Sequence, residues 1–168
     1  MKKAFLPVFI ITATLAACTT HYTTNDSDET EHGSWLKGDK KYLIETIEEQ
    51  FGGFSATMME VSYRFEELYW AGLDENWEYA DHQLEHIEEA IEAGIVRRPE
   101  RKLNAELFLK ADHSKMQTII DNKDSEGFMD AIETYKNACV ACHMREEVSF
   151  IPVNLPKIRK GVTWKSQE

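Results

Sequence analysis

Residues 137–147 read NACVACHMREE, and Cys139, Cys142 and His143 within them form C-x-x-C-H. On a helix the two thiols stand one turn apart on one face, and the imidazole follows the second directly. The chain has three cysteines in 168 residues, and the third, Cys18, lies far upstream. Working outward from the motif, Phe128, Ile132, Tyr135, Cys139 and Cys142 recur at spacings of three and four, which predicts one amphipathic helix carrying the motif at its end. Asp124 or Ser125 would cap it.

The same rhythm continues upstream. From about Asp39 to Ala71, Ile44, Ile47, Phe51, Phe54, Met58, Val61, Phe65 and Leu68 form a sustained stripe, with a kink or break expected at Gly52-Gly53 and a stop at Gly72. A second helix, capped by Asp74 or Asn76, carries Trp77, Ala80, Leu84, Ile87 and Ile91, with Gly94 expected to end it. Pro99 suits the first turn of a third, running to about Asn122 with Leu103, Leu107, Leu109, Met116 and Ile120 apolar. Four helices with short connections predict an all-α fold, an up-down-up-down four-helix bundle with C-x-x-C-H near the end of the last helix. Beyond it, Pro152 and Pro156 forbid helix while Phe150, Ile151, Val153 and Leu155 are apolar, so an extended, packed tail is expected over 148–168.

The N-terminus reads as a targeting segment. Lys2 and Lys3 precede an apolar run from Ala4 to Leu15 that is too short to span a bilayer. It closes on Leu15-Ala16-Ala17-Cys18, which resembles the lipobox of bacterial lipoproteins, where the cysteine is lipidated and becomes the new N-terminus. The organisation expected is a signal peptide over 1–17, a lipidated Cys18 and polar tether over 18–38, a helical domain over 39–147 and the tail. Thr19 after the cysteine implies, by the same resemblance, an outer rather than inner membrane, facing the periplasm. The alternative is an ordinary secretory signal with Cys18 incidental.

The charge is strongly acidic, 30 Asp+Glu against 19 Lys+Arg and −11 in total, falling to −13 without the signal. Such a surface disfavours nucleic acid and suits docking to a basic partner. With Cys18 assigned to lipid, no cysteine is left for a structural disulfide.

Three chemistries use two cysteines at this spacing. A zinc site needs a second Cys or His pair, which the sequence does not offer at suitable spacing. A thioredoxin-type dithiol needs a strand feeding the helix, and the upstream pattern is helical. Covalent attachment of one haem c, with thioethers from Cys139 and Cys142 and His143 as proximal iron ligand, uses all three residues and agrees with export. Only Met144 lies downstream as a methionine, and next to the proximal histidine it cannot reach across the ring. A second protein ligand must therefore come from upstream.

With that placement the sequence resembles the class II c-type cytochromes, the cytochrome c-prime group and its low-spin relatives. The resemblance covers roughly residues 40–147, is specific at Cys139-Val140-Ala141-Cys142-His143 and is architectural elsewhere. It implies a distal residue from the first helix, methionine in electron carriers and a non-ligating apolar residue in five-coordinate members. Met58 lies on the core stripe at a depth matching His143, with Met59 as second choice. The implied function is a lipid-anchored monohaem electron carrier that meets redox partner proteins and is not an enzyme. The alternative is a five-coordinate haem binding nitric oxide or carbon monoxide. A haem-dependent reductase would want a distal acid-base pair, and no histidine falls on that stripe. Cytochrome c-prime proteins often dimerise through their first two helices, so a homodimer is within the resemblance.

The remaining histidines read as bland. His82 and His86 face solvent beside Glu85 and Glu89, His113 points inward some two turns from the haem level, and His21 and His32 belong to the tether. Trp70 and Trp77 are expected to pack together at one end of the core. Arg145 or Arg64 could meet the haem propionates, and the tail could cover either the haem edge or an apolar bundle face.

Overall fold

The computed structural model describes residues 35–160. The signal segment, Cys18, Thr19, His21, His32 and residues 161–168 lie outside the described residues. The described chain is helical, with no strand: α1 (Lys40–Phe51), α2 (Phe54–Leu73), α3 (Trp77–Arg97), a 3-10 turn (Pro99–Arg101), α4 (Lys102–Phe108), a π turn (Leu109–His113), α5 (Ser114–Asp121) and α6 (Phe128–Arg145). The 3-10 turn, α4, the π turn and α5 follow one another without a break, so α2, α3, this composite helix and α6 make the four helices of a helical bundle. Among the described residues no helix is long and apolar enough to cross a membrane. Of the described residues, 47–160 form one compact unit and 35–46 cluster separately.

The break falls at Gly52-Gly53 as expected. Gly52 takes a left-handed φ of +65°, which a side chain would strain, and extended Gly53 opens α2. The stripe does not survive the break. α1 buries none of its residues, and Ile44, Ile47 and Phe51 are exposed. Burial begins within α2, where Phe65 and Leu68 meet Leu84, Ile87 and Ile91 of α3, Phe108, Met116 and Ile120 of the composite helix, and Phe128, Ile132 and Tyr135 of α6.

Two glycines expected to stop helices lie inside them. α2 continues through Gly72 to Leu73, and α3 through Gly94 to Arg97. Both permit close approach instead: a Cβ on Gly72 would fall inside the Phe128 ring, and one on Gly94 would lie 3.0 Å from the Phe54 ring and from Thr57 Oγ1. α3 ends at Arg97, just ahead of Pro99, while α2, α5 and α6 end on left-handed non-glycine residues, Glu75, Lys123 and Glu147, with φ between 52° and 59°. Each of these three sits in a Schellman closure, for instance Val148 N–H to His143 O at 2.9 Å with Glu147 N–H to Met144 O at 3.2 Å.

At the other termini, Asn76 caps α3 by accepting from Tyr79 N–H, whereas Asp124 accepts from Gly127 N–H without capping α6 directly. In the composite helix Leu103 and Leu107 are exposed, contrary to the expected stripe, and Ala105, Phe108 and Leu109 are buried. At about 100° per residue Leu103 and Leu107 already stand well away from the face of Met116 and Ile120, and the extra residue of the π turn brings Phe108 rather than either leucine into line with it. Trp70 and Trp77 do not form the expected pair. Trp77 packs edge-on against Phe128, and Trp70 packs against Tyr69 and under the Arg159 guanidinium.

Candidate functional site

α6 carries the motif along its last two turns, and its inward face is set by the apolar positions before it. Phe128, Ile132 and Tyr135 are buried, and Cys139, next on that face, packs partly buried against the same core. Cys142, one turn on, is half-buried with its thiol 3.9 Å from the Asn104 carbonyl of α4. Both cysteines are free. Burial pushes the Cys139 thiol up to about 12, with the neighbouring Cys142 adding to the shift, and burial also raises Cys142. On Cys142 burial outweighs the opposing pull of the Arg145 and Arg101 guanidiniums, whereas a disulfide-exchange pair sits where the thiolate is favoured. Among the described residues no three His, Cys, Asp or Glu side chains converge as a metal-binding group.

His143 is half-buried, and its Nδ1 lies 3.1 Å from the backbone oxygen of Ile151. A carbonyl only accepts, so Nδ1 carries the proton and Nε2 of the neutral ring keeps its lone pair. The tail makes this contact possible. The closure at Glu147 reverses the chain, and an Ile151 N–H to Val148 O turn of 2.9 Å aims the Ile151 carbonyl back at the ring. Farther along, Leu155 packs on the core. Arg159 then donates to Asp74 at 2.6 Å while lying 4.9 Å over the Trp70 ring. Its hydrogen bond to Asp74 holds the Arg159 guanidinium above its ordinary value.

Glu146, after the motif, accepts from Arg101 and, at 2.7 Å, from Asn104, joining the end of α6 to the start of α4. On α2, Met58 is half-buried against the core, whereas Met59 is 73% exposed. Arg64 is engaged by Gln83 and Glu60, each at 3.3 Å, and Arg145 is exposed at the end of α6. Glu67, almost fully buried, accepts from Tyr79 Oη at 2.9 Å. No motif announced Glu67, Gln83, the Ile151 carbonyl or Arg159. The two tail prolines were the one signal that this segment is extended and held.

The other histidines stand apart from the motif. The His82 and His86 rings are 4.3 Å apart on the outer face of α3, with His86 Nδ1 2.7 Å from Glu89. His113 is buried and shares a 3.0 Å hydrogen bond with Tyr135 Oη, while its Nε2 lies 3.7 Å from the half-exposed Glu88 carboxylate. Burial lowers its pKa to about 4. The sign follows from its ordinary value near 6.5. The unfolded chain protonates first, so stability is complete above about pH 6.5 and declines as pH falls towards 4. Between pH 7 and pH 5 the loss expected from this one residue is about 2 kcal/mol. Urea unfolding at the two pH values checks it, and His113→Gln is expected to remove most of the slope. A groove of about 290 Å³ lies between the π turn, α5 and the first half of α6, lined by Asp112, Met116, Ile119, Asp130 and Tyr135 among others. None of Cys139, Cys142 and His143 lines it.

Compared with known proteins, the chain matches no family model, no curated protein and no solved structure.

Proposed function

We propose that the chain is a monohaem c-type cytochrome, a single-electron carrier held on the periplasmic side of the outer membrane by a lipid on Cys18. Its iron would be ligated by His143 and Met58 within an up-down-up-down bundle. One observation carries the reading. Two half-buried thiols one turn apart on the inward side of α6 are followed by an imidazole whose Nδ1–H is already committed to a backbone carbonyl. That donor set fits a covalently held haem, with two thioether positions and a ring nitrogen free to ligate.

The bundle contacts support Met58 as the distal ligand. Gly72 faces Phe128, and seven residues earlier on α2 Phe65 meets Tyr135, seven residues later on α6, with ring centroids 6.2 Å apart. The paired numbers run in opposite directions, as in antiparallel neighbours. Continued along the two helices at ~1.5 Å per residue, that register brings Met58 level with Cys142. The exposure of Met59 disfavours the second choice.

When bound, haem supplies the Fe(III)/Fe(II) couple, and a thioether opposite an imidazole raises its potential. The chain's own residues do the rest. Cys139 and Cys142 would tether the macrocycle, His143, oriented by Ile151, would ligate its iron, and Met58 would supply the second ligand and leave no position for substrate. The acidic surface suits a basic redox partner, and the lipid and tether keep the carrier beside its membrane-bound partners.

The test is expression with export and haem-attachment machinery, followed by acid-acetone extraction. The wild-type chain is expected to retain its haem under extraction. The double variant Cys139→Ser, Cys142→Ser is expected to release all of it. Haem that washes out of the wild type would overturn the reading.

A further inference from the structure

The C-terminal tail is longer than helix capping requires, and its contacts fall at both ends of α6. Its near end touches the motif, with the Ile151 carbonyl on His143 Nδ1 at 3.1 Å. Its far end reaches Asp74 and Trp70, close to Gly72, which faces Phe128 at the opposite end of α6. From Phe128 to His143 the helix is roughly 23 Å long. From Ile151 to Arg159 a fully extended chain spans at most about 28 Å. The tail is therefore long enough to run the length of the bundle, stiffened by Pro152 and Pro156 and pinned midway by Leu155 on the core. The clamp at its end is well made. Arg159 and Asp74 keep side chains only 18% and 22% exposed, and the guanidinium also stacks on indole.

We infer that the Ile151 carbonyl is a positioning group for the iron ligand His143, held in place by the strap from Pro152 to Arg159, and that it sets the donor strength of His143 Nε2. The inference rests on the haem reading above. A carbonyl accepting from Nδ1–H draws the proton away from the ring, makes the imidazole a stronger donor and favours Fe(III). A ring held at Nδ1 also cannot adopt the other tautomer, which would place the proton on the nitrogen that must bind iron. The carbonyl belongs to the backbone, so the contact depends on the path of the chain rather than on the Ile151 side chain.

The experiment uses the full haem-loaded chain, a variant ending after Ser149, and the point variants Arg159→Gln, Arg159→Lys and Ile151→Ala. Loss of the tail is expected to shift the Fe(III)/Fe(II) equilibrium about tenfold towards Fe(II), raising the midpoint potential by about 59 mV. Arg159→Gln should give a smaller shift of the same sign, because Leu155 still holds the strap. Arg159→Lys should restore most of it, and Ile151→Ala, which keeps the carbonyl, should give none. In the haem-free chain, nitrogen NMR of His143 should show the Nδ1–H tautomer in the wild type and a mixture in the truncated variant.

If thioether-bound haem forms but the potential and the tautomer are unchanged by truncation, the strap is only structural and the inference falls while the cytochrome reading stands. A melting temperature that drops with no change in potential likewise leaves the strap structural and overturns the inference. If no thioether-bound haem forms in the wild type, the cytochrome reading itself has failed and takes the inference with it.

Discussion

Truncating Phe128 to alanine is expected to cost about 4 kcal/mol of unfolding free energy, a large share of what a domain of this size has to lose. The ring is 1% exposed at the start of α6, stacked edge-on against Trp77 and pressed into the space left by the missing side chain of Gly72. Gly72→Ala tests the same contact from the other side. Alanine within a helix gains up to about 1 kcal/mol over glycine, but here its methyl must enter volume the ring occupies. Overpacking of that kind costs roughly 1–3 kcal/mol, so steric strain outweighs propensity and Gly72→Ala is destabilising. The two losses are not additive. With Phe128 already reduced to alanine the new methyl meets a cavity, and the double variant is expected to recover at least about 1 kcal/mol relative to the sum. Urea titrations of the four proteins in one buffer measure the coupling. Additive losses would mean that the two helices do not meet as described. Gly94→Ala is the comparison, expected to cost less, because its nearest neighbours lie at 3.0 Å whereas a Cβ on Gly72 would fall inside the Phe128 ring.

These glycines also explain what the sequence conceals. Periodicity located the core of α2, α3 and α6 almost residue by residue, because Phe65, Leu68, Leu84, Ile87, Ile132 and Tyr135 are buried by the same amphipathic pattern that makes them recur. Glycine is ambiguous in a way leucine is not. It both terminates helices and lets them approach, and Gly72 and Gly94 do the second, while Glu75, Lys123 and Glu147 accept the strained conformation at the ends of α2, α5 and α6. Leu103 and Leu107 fail for another reason: at about 100° per residue they never shared a face with Met116 and Ile120. No local rule signals a π turn, and its extra residue brings Phe108 into the core instead. On α1, Ile44 and Ile47 keep a helical period without a buried neighbour, which shows that a stripe states what a helix could bury rather than what it does. At the site, the inward placement of Cys139 and Cys142 and the half-burial of Met58 were readable because they ride on regular helices. The Ile151 carbonyl was not, since a backbone group at the end of a reversed chain leaves no mark on residue type.

Replacing Met58 by leucine is expected to change the haem-loaded protein more than any other substitution outside the motif. Leucine keeps the volume and apolar character of a half-buried position, so the stability cost should stay below about 1.5 kcal/mol and the fold should survive. What it removes is the thioether. If Met58 ligates, the variant loses its sixth ligand, its reduced bands broaden to a high-spin form, it gains carbon monoxide binding, and its potential falls because the imidazole alone stabilises Fe(II) less well. Met59→Leu is the matched control. Its side chain is 73% exposed, and the spectrum, the potential and the lack of carbon monoxide binding should all match the wild type. The comparison also separates electron transfer from gas binding. A wild type that already binds carbon monoxide, and whose spectrum Met58→Leu leaves alone, has an open distal position and a methionine that only lines it. The electron-carrier reading would then yield to binding of nitric oxide or carbon monoxide. A wild type indifferent to carbon monoxide, made responsive by the loss of one sulfur atom, has its sixth position closed by its own chain, and closure of that position is what lets iron exchange electrons while excluding small ligands.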